Sequence, residues 1–122
     1  MRYSTSEELI KRYEELAIIH GELRTAKEAN RAYVEKKRIW DELDQRGSTA
    51  IEMFLQLLDS SNPIVRLAAA GDALFVAPEK AERVLEQLTR EPRTDFTAFT
   101  ASVTLQEWWA GRLKPFFLKR DP

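Results

Sequence analysis

The apolar positions of this chain recur at steps of three and four along almost its whole length, the signature of amphipathic helices. From about Ser6, the residues Leu9, Tyr13, Leu16 and His20 form one stripe, widened by Ile10 and Ala17 and ended by Gly21. Two capping-box spacings compete for its start, Thr5 with Glu8 and Ser4 with Glu7. A longer helix is expected over 25–45, with Ala29, Tyr33, Trp40 and Leu43 inward, Ala26 and Ile39 on the flanks, and Gly47 as a left-handed stop. The next helix runs from about Thr49 to Leu58 and turns Met53, Phe54, Leu57 and Leu58 to the core, beside Ile51 and Leu55.

After the turn Asp59-Ser60-Ser61 comes the sharpest helix start in the chain. Asn62 supplies a capping side chain and Pro63 fits the first helical position, where its missing N–H costs nothing. This helix is expected to reach about Val76, and its cluster Ala68-Ala69-Ala70 lets a neighbouring helix approach closely. Ala77-Pro78-Glu79 restarts the chain, and a fifth helix carries Ala81, Val84, Leu85 and Leu88. Residues 89–95 read as a loop around Pro92. Residues 96–103 mix aromatics with threonines and have no clear period. Thr104 and Glu107 have capping-box spacing and open a short helix through Trp108 and Trp109 to Gly111, followed by a basic, aromatic tail over 112–122. No useful stretch alternates with period two, so the expected class is all-α, five long helices and a short last one.

An internal echo supports a repeated helix pair. Residues 51–58 align with 81–88 at an offset of thirty, with identities at Glu52/Glu82, Leu55/Leu85 and Leu58/Leu88 and a proline after each segment, Pro63 and Pro92. Val65-Arg66, Ala68-Ala69-Ala70 and Ala73-Leu74, entered through Pro63, look like the second helix of a HEAT repeat. More widely, Lys27-Glu28-Ala29-Asn30-Arg31, Trp40-Asp41-Glu42-Leu43, the run from Asn62 to Leu74, Ala77-Pro78-Glu79 and the segment from Thr104 to Leu113 resemble a small bacterial HEAT-like family catalogued as a domain of unknown function. The resemblance implies a single domain over 1–122, a compact HEAT-like array of about five to six helices. Its first two helices would cap one end, and residues 112–122 would pack as the end-cap of the other. It carries no established chemistry.

Composition narrows the class further. A chain of 122 residues is one domain by the usual prior and needs no staple, and its hydrophobic content of 43% suits a globular protein. A formal charge of −1 gives no global attraction to nucleic acid or anionic membrane. The absence of cysteine excludes disulfides and thiolate metal sites. The polar, acidic start lacks the apolar stretch of a secretory signal, and no apolar run reaches the ~18 residues of a membrane span. The expected location is the cytoplasm, with no membrane contact.

Candidate chemistry is sparse. His20 is the only histidine and has no evident nucleophile or orienting acid, so a structural role is expected. Glu7-Glu8 and Glu14-Glu15 read as a solvated face, with Lys11 and Arg12 four residues after the first pair. The Glu-x-x-His of a helical di-metal site is missing, as are phosphate-binding, dinucleotide and nucleophile-elbow motifs. No enzyme activity, metal or cofactor is expected. Arg66 is expected to bond a turn acid such as Asp59. The cations Lys27, Arg31, Lys36, Lys37 and Arg38 are interleaved with Glu28, Glu35, Asp41 and Glu42, which weakens a nucleic-acid reading. Trp108 and Trp109 are adjacent and cannot share a helix face, so one is expected in the core and the other outside.

The candidate partner-binding residues are Lys37, Trp109, Arg112, Phe116 and Phe117. The expected function is a non-catalytic protein-binding scaffold, an immunity or regulatory adaptor that engages a bacterial partner such as a cognate toxin. Nucleic-acid binding is the alternative.

Overall fold

The computed structural model describes residues 5–22, 25–91 and 96–113, with the side chains of 20–22 left aside. Among these residues there are six α-helices, one short 3-10 helix and no strand: α1 (Ser6–Glu22), α2 (Ala26–Arg46), α3 (Ser48–Leu55), the 3-10 turn (Gln56–Asp59), α4 (Pro63–Ala73), α5 (Pro78–Arg90) and α6 (Thr97–Trp109). The helices fall into two compact units that divide between Gln56 and Leu57.

In the first unit, α1 opens with a reciprocal capping box. The Glu8 amide donates to Thr5 Oγ1 and the Thr5 amide donates to Glu8 Oε1, both at 3.1 Å, which settles the two-way ambiguity in favour of Thr5. Thr25 caps α2 by accepting from the Glu28 amide at 3.0 Å. The pairs Arg12–Glu35 and Arg46–Ser6 join the middle of α1 to the middle of α2 and the start of α1 to the end of α2, so the two helices run antiparallel. Gly47 closes α2 and opens α3 with no residue between. It does so at φ 98° and ψ −169°, an extended positive-φ conformation rather than the expected left-handed helical stop.

Three wholly buried aromatic rings, one from each helix, meet in this unit. Phe54 lies edge-on to Tyr13 at 4.9 Å and to Trp40 at 4.7 Å between centroids. The inward face of α2 differs from expectation. It runs through Ala32, Lys36, Ile39, Trp40 and Leu43, while Tyr33 stands exposed. Lys36 explains the rotation: its stem is buried and its Nζ sits 5.4 Å from the Tyr13 ring centroid, so a lysine occupies a position the hydrophobic pattern left out.

The second unit begins with Leu57 and Leu58 of the 3-10 turn, both buried; α3 therefore stops at Leu55 instead of continuing to Leu58. Asn62 Oδ1 accepts from the Ile64 amide at 2.9 Å, with Pro63 at the first helical position. Ala69, Ala70 and Ala73 of α4 are fully buried and bring its backbone close to its neighbours. Arg66 Nη1 bonds Glu91 at 3.2 Å, not Asp59, so the start of α4 is tied to the end of α5. Trp108 Nε1 donates to Glu82 at 2.6 Å, tying the end of α6 to the start of α5. Both helix pairs are thus antiparallel.

The last helix departs most from expectation. It starts at Thr97 rather than Thr104, and its inward face is Thr97, Ala101 and Leu105. Thr104 lies mid-helix, its hydroxyl donating to the Thr100 carbonyl at 2.8 Å. The helix ends in a Schellman motif: Gly111, at φ 76°, donates to the Trp108 carbonyl at 3.1 Å and Arg112 donates to that of Glu107 at 2.9 Å.

Candidate functional site

Three of the five residues singled out from sequence are among the described residues, Lys37 in the first unit and Trp109 and Arg112 in the second. Lys37 is half-buried on α2 and forms an ion pair with Asp41 one turn away at 3.6 Å. Trp109 is 60% exposed at the end of α6, as expected for the outward member of the tryptophan pair. Its neighbour Trp108 is half-buried and packs edge-on against Phe75 at 4.9 Å. Arg112 is exposed but engaged, its guanidinium gripping the Glu107 carboxylate through bonds of 2.9 and 2.8 Å. Phe116 and Phe117 lie outside the described residues, as does the His20 side chain.

The Arg112 grip has an electrostatic consequence. Glu107 sits in the last turn of α6, where the helix dipole disfavours a negative charge. The hydrogen bond from Arg112, aided by its positive charge, nevertheless holds the Glu107 carboxyl below its ordinary range, and Glu107 in turn raises Arg112.

What sequence reading missed is the face of α6 opposite its core contacts. Phe96, Phe99 and Val103 follow at steps of three and four, on one side of the helix. All three are exposed, Phe96 at 76% and Phe99 at 67%. The two rings leave on the order of 300 Å² of aromatic surface in water, within the range of a protein's largest exposed apolar patch. Thr100, Gln106 and Ala110 flank the stripe, and Glu107, four residues after Val103, continues it with its charge met by Arg112 at 2.8 Å. The signal was present in the spacing of Phe96, Phe99 and Val103, but it required a helix beginning at Thr97.

Among the described residues, no group of three or more histidine, aspartate or glutamate side chains is placed to hold a metal ion, and no helix is long and apolar enough to cross a membrane. A family model described as a domain of unknown function, DUF2019, matches residues 7–107. The chain belongs to the DUF2019 family. No curated protein and no solved structure matches it. The DUF2019 span includes Lys37 and the whole Phe96–Phe99–Val103 stripe. It stops before Trp109, Arg112, Phe116 and Phe117, so the exposed stripe belongs to the family domain while four of the residues first singled out follow it.

Proposed function

We propose that this DUF2019 domain is a non-catalytic protein-binding scaffold whose contact surface is centred on the outer face of α6. The observation that carries the reading is the pair Phe96 and Phe99, large aromatic rings held in water on a regular, anchored helix. Aromatic residues of this kind are the usual anchors of an interface, and a charged rim sets orientation rather than affinity. The Glu107–Arg112 pair supplies that charge at the C-terminal end of the stripe. A stripe of about 300 Å² is smaller than the ~800 Å² each partner buries in a standard interface, so the partner must also cover the flanks of α6.

Within this reading, the helices form a HEAT-like array. Its supports are the antiparallel pairing of α4 with α5 and of α5 with α6, and the thirty-residue echo that places Leu58 and Leu88 in buried positions. The biological role is that of an immunity or regulatory adaptor in the bacterial cytoplasm, engaging a protein encoded beside it. Co-expression with the products of the flanking genes should yield a complex that survives size-exclusion chromatography. A chain that elutes alone from every such pairing contradicts the proposal. Nucleic-acid binding is the second reading, and its candidate surface is the row of exposed cations on α2.

A further inference from the structure

The cations of α2 are less compensated than their sequence neighbours suggest. Glu35 is taken by Arg12 of α1 through two bonds of 2.8 and 3.1 Å, and Glu42 by Arg46 at 3.1 Å. Asp41 forms an ion pair with Lys37 at 3.6 Å and has Oδ1 buried. Three of the four interleaved acids are therefore committed within the first unit. Lys27, Arg31 and Arg38 are exposed and have no ion-pair partner among the described residues. Spaced four and seven residues apart, they lie along one side of α2 over about 16 Å, at steps of about 6 and 10 Å. Val34, 44% exposed, sits between Arg31 and Arg38 in the same row. Glu28 is exposed too, about 100° around the helix from Lys27 and about 60° from Arg31, so it flanks the start of the row.

We infer that this row is a docking surface for an acidic polypeptide segment. Three cations at fixed steps call for carboxylates at matching steps. In an extended chain the side chains of one face recur every ~6.6 Å, so acids at the second, fourth and eighth positions and an apolar residue at the sixth fall within about 3 Å of the cations and Val34, a gap the long arginine side chains span. A nucleic acid fits less well. The outer face of α1 is predominantly acidic: Glu7, Glu8 and Glu15 are exposed there against one exposed cation, Lys11, with Glu15 partly met by Arg12 at 3.1 Å. Packed helices lie about 8–10 Å apart, close to the Debye length at physiological salt, so the phosphates of a long polyanion would feel those glutamates. A short acidic segment confined to α2 avoids them. The inference adds a second contact surface, on a different unit from α6, and stands or falls separately from the α6 reading.

The test is an NMR titration of the full chain with a short peptide carrying glutamate at its second, fourth and eighth positions and leucine at its sixth. Amide shifts should concentrate on Lys27, Arg31, Val34 and Arg38 and vanish in about 0.5 M salt, where the Debye length falls to about 4 Å. Arg31→Glu/Arg38→Glu should weaken binding at least about tenfold without altering the thermal midpoint, since both side chains are exposed. Unaltered binding by that variant, shifts scattered elsewhere, or no shifts at all overturn the inference. So does a single-stranded oligonucleotide of about twenty nucleotides that binds the same row more tightly than the peptide, an outcome that favours the nucleic-acid reading instead.

Discussion

Phe54 is the residue on which the core of the first unit should depend most. Its ring is wholly buried and stands edge-on to two other buried rings, Tyr13 at 4.9 Å and Trp40 at 4.7 Å. Phe54→Ala deletes that ring and leaves a cavity that three separate helices would have to close together. A buried Phe→Ala costs about 3–5 kcal/mol, and two edge-to-face contacts at about 0.5–1.5 kcal/mol each place this site at the upper end of that range. Domains of this size hold about 5–15 kcal/mol in all, so the variant should be close to unfolding at physiological temperature. Phe54→Leu keeps most of the apolar volume and forfeits the ring contacts, for a cost of about 1–3 kcal/mol. Urea denaturation followed by near-ultraviolet circular dichroism measures both, because the aromatic band reports the environment of Tyr13 and Trp40. A cost for Phe54→Ala below about 1.5 kcal/mol, or equal costs for the alanine and leucine variants, refutes the argument that this ring locks the three helices together.

Two glycines should respond in opposite directions. Gly47→Ala forces a side chain into a positive-φ extended conformation that only glycine adopts readily, and should cost about 1–3 kcal/mol by chemical denaturation. Gly71→Ala lies within α4 with open space at the added carbon, and should stabilise by about 0.5–1 kcal/mol in the same assay. At the end of α6, an NMR pH titration should find Glu107 below the ordinary carboxylate range, and Arg112→Gln should return it upward. Because the folded-state value is the lower one, the stabilisation is complete above the unfolded value and is lost as pH falls through the folded one.

The parts of this fold that were legible in the sequence are those governed by local chemistry. Asn62 with Pro63, Thr5 with Glu8 and the turn at Gly47 act over a few residues, and each sits at a helix boundary. Helix geometry alone turns Trp108 and Trp109 to different faces, and Trp109 is exposed as expected while Trp108 is half-buried rather than in the core. The errors share a different cause, contacts between residues distant in sequence. Arg66 finds Glu91 twenty-five positions away, a choice that no local spacing reveals. On α2 the pattern favoured Tyr33 as the inward residue, but the helix buries Lys36, whose charge meets the Tyr13 ring of another helix. The start of α6 was hidden by its threonines, which are weak helix formers and mimic a capping box at Thr104. Burial of Thr97, Ala101 and Leu105 overrides that weak propensity. Placing the helix start late also broke the Phe96–Phe99–Val103 stripe, and the candidate site was missed with it.

The central claim, that the outer face of α6 is a protein-binding surface, is tested most directly by calorimetric titration of the flanking-gene partner into the native chain and into Phe96→Asp/Phe99→Asp. Aspartate suits both positions, the cap and first turn of a helix, so the fold should be retained. The loss of two aromatic anchors should weaken the partner at least about a hundredfold. Equal affinity for the two proteins, with both folded, contradicts the account.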